Sequence, residues 1–266
     1  MKAEIEIGNK KYTVDFSKGI DISIPLNFNG EQPNTYGVDK ATSNPYQNRQ
    51  FIGDTREGGP CNFETYSFTP HCNGTHTECI GHITDERISI LSSLKEEMIP
   101  STMISVTPKK TSENYKPELH SEDLVITKEE LEKCLQNKNP EFLGGLIIRS
   151  LPNSDTKKSR DYMKETPAFF SIDAMEYIVS LGVQHLLVDT PSVDRLLDDG
   201  HLSAHNIFWE TKGKKLNAKT KNKTITEMIF VPNYVEEGSY ILNLQIPAFV
   251  SDAAVSRPIL YKINEL

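Results

Sequence analysis

The sequence predicts an α/β protein: a single domain over residues 1–266 in which helices pack on a mixed β-sheet. Three observations predict it. Between residues 146 and 188 a strand-like segment, a helix-like segment and a second strand-like segment follow one another, which requires a crossover and some parallel sheet. At the start of the chain, apolar residues alternate with charged ones, the pattern of an antiparallel hairpin. No internal repeat and no linker-like composition divides the rest.

Each element has its own signal. Residues 2–7 and 10–16 form the hairpin around Gly8-Asn9, with Ile5, Ile7, Tyr12 and Val14 supplying the β pattern. A strand is expected over residues 21–26. Residues 27–59, rich in Asn, Gly, Pro and Gln, read as one long loop that covers a site or moves. A short strand follows at 103–106. Thr127 and Glu130 are spaced as a capping box for a helix running to Gln136. Residues 146–149 read as a buried strand and 152–165 as a charged loop. Ser171 caps a helix in which Ile172, Met175, Ile178 and Val179 recur at helical spacing, and Gly182 ends it. A strand over 184–188 comes next, and the apolar stretch 239–250 adds antiparallel character.

The formal net charge of −8 argues against nucleic acid, whose phosphate backbone needs a basic surface. The N-terminal stretch has no continuous apolar run, so neither a secretory signal nor a membrane span is expected. Four cysteines are too few for a disulfide scaffold of this length, which points to free or metal-bound thiols in a reducing, cytoplasmic setting.

Chemistry concentrates between His71 and His82, HCNGTHTECIGH, which holds three of the seven histidines, two of the four cysteines and a glutamate. Cys72, His76, Glu78 and His82 fall on one parity, so an extended segment would aim all four to one side. A straight strand would hold the ends roughly 33 Å apart, so the segment must curl, with Gly74 the easiest place to bend. His71 is the alternative to Cys72 as a ligand, since a differently bent loop would bring it in. Cysteine also packs as a small apolar residue. Downstream, His201 and His205 are spaced to share a helix face, and Glu227 stands alone within an apolar strand, where an unpaired carboxylate is costly. Asp189 and Asp194 read as turn-shaping residues rather than ligands.

These residues resemble the cyclase family of metal-dependent hydrolases, the kynurenine formamidase and isatin hydrolase group, whose signature is HxGTHxDxPxH. Residues 72–82 stand in register with that signature, and Leu181-Gly182-Val183, Asp189-Thr190-Pro191-Ser192-Val193-Asp194, His205, Glu227 and Ser256-Arg257-Pro258 extend the likeness over most of the chain. The resemblance implies one or two divalent metals. Cys72, His76 and Glu78 would hold the first, and Glu78 would bridge to a second held by His205 and Glu227. His82 would be the proton donor and acceptor, and Tyr36 a substrate contact. It also implies a small-molecule substrate, a homodimer or homotetramer, and hydrolysis of a formamide or cyclic amide C–N bond. An ester or lactone hydrolase, or a binding protein that has lost turnover, are the competing expectations. Three departures bear on the metal: Cys72 stands for the first histidine, Glu78 for aspartate and Ile80 for proline. A thiolate ligand favours Zn2+ over Mn2+.

Overall fold

The strand–helix order written in the sequence is realised as one large mixed sheet in the computed structural model, which describes residues 1–266. The chain opens with the hairpin of β1 (Lys2–Ile7) and β2 (Lys10–Asp15), followed by a two-residue strand, β3 (Ile20–Asp21). Next, β4 (Thr42–Pro45) and β5 (Glu64–Ser67) pair as a separate antiparallel arm. They lead into a single helical turn, α1 (Pro70–Asn73), and then β6 (His76–Cys79). The middle of the chain supplies α2 (Ile90–Ser93), β7 (Met98–Val106), β8 (Val125–Ile126), α3 (Lys128–Leu135) and β9 (Gly145–Ser150). Beyond these come β10 (Phe169–Phe170), α4 (Ile172–Ser180), β11 (His185–Val188), α5 (Ser203–Phe208) and β12 (Thr224–Glu227). The chain ends with β13 (Gly238–Asn243), β14 (Ala253–Val255) and β15 (Ile259–Glu265).

Ten strands run in the order β1-β2-β15-β13-β7-β9-β11-β12-β6-β14, and β3 joins through β15. At its centre β7, β9, β11 and β12 are parallel, each joined to the next by a connection carrying α3, α4 or α5. Strands on both flanks are antiparallel. A parallel strand buried on both faces should be apolar throughout, and the cores on the two faces divide the strands accordingly. On the helix face, Ile104, Val106, Leu146, Ile148, Leu186, Val188 and Ile225 pack with Met175, Ile178, Phe208 and Trp209. On the opposite face, Met103, Ile147 and Leu187 pack with Ile22, Ile229, Val231 and Leu242. Full burial of one such side chain contributes roughly 1.5–3 kcal/mol.

Local signals hold at the helix starts. Thr127 Oγ1 accepts from Glu130 N at 3.3 Å, and Ser171 Oγ accepts from Ala174 N at 3.0 Å. Gly182 takes a φ of 79°, the left-handed conformation that ends α4. Three expectations change. The strand at 21–26 shrinks to β3, because Ile24 N turns away from any ladder and donates to Thr75 Oγ1 at 2.8 Å. The strand at 103–106 extends back to Met98 and pairs with β13 along its first half. The long loop at 27–59 contains β4, whose partner lies beyond its end. No helix is long and apolar enough to cross a membrane.

Candidate metal centre

The site forms where β6 lies between β12 and β14. Alternation along β6 puts His76 and Glu78 on one face and Thr77 and Cys79 on the other. Register supplies the next carboxylate, since His76 is directly opposite Glu227 on β12. Glu78 is opposite Ile225, which packs in the helix-side core, so this face of β6 looks towards α5. There His205, on α5, approaches from above. Its Nε2 lies 3.1 Å from Glu78 Oε1 and 3.8 Å from Glu227 Oε1. His76 Nε2 is 3.4 Å from Glu227 Oε2.

The expected extended segment is in fact three pieces. Pro70, at the first helical position, starts the turn of α1, Gly74 is extended, and a 3-10 turn over Ile80–His82 follows β6. One parity therefore unites only His76 and Glu78. Within α1, successive side chains point about 100° apart, so His71 and Cys72 cannot face the same way. His71 is the one that joins the cluster: His71, His76 and Glu78 bring ligand atoms within 4.8 Å of one another. Glu78, His82 and His205 make a second such group, and His71, His82 and Asp252 a third. The thiol of Cys72 is buried and belongs to none of the three. His201 lies exposed ahead of α5 rather than on its face, so the helical pairing with His205 is not formed.

Supporting hydrogen bonds decide which nitrogens face inwards. His76 Nδ1 donates to Gly74 O at 3.1 Å, which leaves Nε2 with its lone pair directed into the cluster. His205 Nδ1 donates to Asp194 Oδ2 at 2.7 Å, and the same carboxylate accepts from Ala204 N, His205 N and the Tyr115 hydroxyl. Asp194 thus shapes the start of α5 through backbone bonds and also holds the imidazole. Asp189, by contrast, accepts from Ser150 N and Lys157 Nζ, both at 2.8 Å, and is tied to the end of β9. Glu227 Oε1 is held by Val193 N at 2.9 Å.

The electrostatics are those of a crowded buried site. Burial acts to neutralise Glu78, yet His82, His205 and His71 hold its carboxyl well below the ordinary range. Burial likewise acts against charge on His205, but Asp194 and Glu78 raise it well above the usual imidazole value. For His71, burial is again outweighed, here by the Asp252 and Glu78 carboxylates, and its pKa is pushed up to about 10. Burial and then the Glu227 charge push the Cys72 thiol up to about 11. Tyr36 is 47% exposed as a residue, but its phenol is raised first by burial of its polar end and next by Glu227.

A cation fits this donor set. His76 Nε2 and Glu78 Oε2 are buried and have no hydrogen-bond partner, a cost that few native sites tolerate without an ion or water. His71 Nδ1 is 3.0 Å from Glu78 Oε2 but not aligned to satisfy it. The exposed edge is formed by His71, His82 and Asp252, whose side chains are 24%, 29% and 27% accessible. Surface cavities of 530 and 580 Å³ lie at the opposite end of the sheet, around Tyr12 and Lys262, and none of these residues lines them. Asp252 carries no sequence signal of its own, since the matched stretch nearest to it begins only at Ser256.

Comparisons with known proteins agree with this fold. A family model described as "Putative cyclase" matches residues 20–195. A "predicted metal-dependent hydrolase" from Bacillus stearothermophilus has the same fold, with a TM-score of 0.59 at 15% identity, covering 92% of this chain and 98% of that one. An isatin hydrolase solved with the product analogue thioisatinate gives 0.62 at 13% identity, with 93% of both chains covered. Isatin hydrolase A from Ralstonia solanacearum gives 0.62 at 11%, covering 92% of this chain and 91% of its own. No curated protein sequence matches the chain.

Proposed function

Because the chain belongs to the cyclase family, we propose that it is a metal-dependent hydrolase that opens the C–N bond of a cyclic amide or formamide. The observation that carries this reading is the pair of orphaned buried atoms, His76 Nε2 and Glu78 Oε2, among charged groups that a divalent ion would satisfy. His71, His76 and Glu78 would hold one ion. Glu78, His205 and Glu227 would hold a second, with Glu78 presenting Oε1 to one side and Oε2 to the other. Imidazole and carboxylate donors suit Zn2+, with Mn2+ the alternative.

A divalent ion in such a site supplies Lewis acidity, which makes water a nucleophile near neutral pH and polarises a carbonyl. The remaining work belongs to the side chains. His82 is the most accessible imidazole of the cluster, with Nε2 3.7 Å from Glu78 Oε2, and would carry a proton from water to the leaving nitrogen. Asp194 keeps His205 in one tautomer. Tyr36, whose phenol feels the charges of Glu227 and Asp198, would contact an aromatic or cyclic substrate. The cyclic amide is favoured because neighbours of the same fold are named isatin hydrolases.

Metal analysis of the purified chain, followed by a panel of cyclic amides, formamides and lactones, tests the proposal. One or two divalent ions per chain are expected, with turnover of an amide. His82→Ala should keep the ions and lose activity by about 10²–10⁴-fold. A chain without bound metal under metal-replete conditions, or a His82→Ala variant as active as the wild type, would overturn it. Turnover of lactones alone would replace the amide with an ester bond.

A further inference from the structure

His71 and His82 are held between two carboxylates. Their rings stack with centroids 4.3 Å apart and planes inclined by 28°. On the inner side, His71 Nδ1 and His82 Nε2 lie 3.0 and 3.7 Å from Glu78 Oε2. On the outer side, His71 Nε2 and His82 Nδ1 lie 3.0 and 3.4 Å from a single atom, Asp252 Oδ2. The two imidazoles therefore use opposite nitrogens for the same task, each spanning from Glu78 to Asp252.

Asp252 is fixed by the sheet rather than by the rings. Its carbonyl accepts from Cys79 N at 3.0 Å, and the next residue, Ala253, pairs with Glu78 in the β14–β6 register. On its other side, Ser251 O accepts from Ile90 N at 2.8 Å. The backbone carrying this carboxylate is thus bonded to β6 and to the start of α2, and the side chain reaches the rings from a rigid edge.

We infer that Asp252 is the positioning residue of the site, a single carboxylate that sets the tautomer and ring plane of both His71 and His82. An ionised carboxylate can only accept hydrogen bonds. Asp252 Oδ2 is hydrogen-bonded to His71 Nε2 and at ion-pair distance from His82 Nδ1, so these are the nitrogens on which each ring keeps its proton when the other is given up. That leaves His71 Nδ1 and His82 Nε2 as the nitrogens presented to Glu78, one for an ion and one for a proton. The inference rests on the metal-dependent reading above. It also accounts for the shift of the first ligand position: Cys72 has no such partner, whereas His71 has one on each side.

Asp252→Ala and Asp252→Asn, compared with the wild type, test the role by two readouts. The first is the imidazole N–H signals of the metal-free protein in 15N NMR. The wild type should show protected protons on His71 Nε2 and His82 Nδ1, both lost in Asp252→Ala. The second is Co2+, titrated against a chelator and followed by its visible absorption. Affinity should fall by about 10–100-fold in Asp252→Ala and by less in Asp252→Asn, with an altered spectrum and an unchanged number of ions per chain. Matching thermal melts of the two variants guard against a folding defect. Unchanged N–H signals and unchanged Co2+ affinity in Asp252→Ala would overturn the inference. Loss of one ion per chain would overturn it as well, by making Asp252 a direct ligand. A wild-type chain that takes up no Co2+ would sink the metal reading itself, and the imidazole signals would then decide alone whether Asp252 orients the two rings.

Discussion

His71 and Cys72 are neighbours on one helical turn with different surroundings, and substituting each separately assigns the first ligand position. Cys72→Ser should leave metal affinity within about threefold, because the thiol lies outside every ligand group and is held protonated. His71→Ala should weaken binding by at least about tenfold, since it removes a donor 3.0 Å from Glu78. Chelator competition on both variants measures this, and the reverse order would return the position to Cys72. The residues on which this depends were unequally legible. His76 and Glu78 were marked by their spacing, and Glu227 by a charge inside an apolar strand. Cys72 leaves that parity because Pro70, at the first helical position, starts a turn there in place of a strand. Asp252 had no signal at all, because its partners are chosen by a strand register 170-odd residues away in sequence and not by anything adjacent to it.

Among the elements, the parallel strands were the clearest in the sequence, since burial on both faces forces continuous apolar runs such as Leu146-Ile147-Ile148. The first half of β7 was hidden by Pro100, a residue that argues against a strand although it pairs here with Ile241. The arm of β4 and β5 was hidden by composition: TSNP and ETYS have no apolar face to read. The start of β11 carries an element-scale consequence. His185 is 3% exposed, is bonded through Nδ1 to Thr224 Oγ1 at 2.9 Å, and is pushed down to about 4 by burial. Its unfolded value is about 6.5, so between those two pH values the unfolded chain binds the extra proton and the native chain does not. Stability therefore falls as pH drops from about 6.5 to 4, by up to about 3 kcal/mol from this group. Urea unfolding of wild type and His185→Gln across that window should show a shallower pH dependence in the variant. Equal slopes would mean that His185 is not kept neutral.

At the scale of the whole molecule, the site is a clasp between distant parts of the chain. Its side chains come from α1, β6, α5, β12 and the approach to β14, and the proposed ligands alone would join residues 71 to 227 across one end of the sheet. Without a cation, the only positive partners of Glu78, Glu227, Asp194 and Asp252 are histidines, in a chain whose formal net charge is already −8. An ion that binds the folded chain and not the unfolded one contributes about 2.7 kcal/mol at a hundred times its dissociation constant. For a domain of this size each kcal/mol moves the melting temperature by about 2–4 °C. Chelation should therefore lower the melting temperature by about 5–10 °C, with recovery on adding Zn2+ or Mn2+. His76→Ala should melt at one temperature whether or not chelator is present, because the inward-facing Nε2 is gone. If the wild type melts identically with and without chelator while metal analysis finds ions bound, those ions lie elsewhere and the clasp is held by histidine–carboxylate pairs alone.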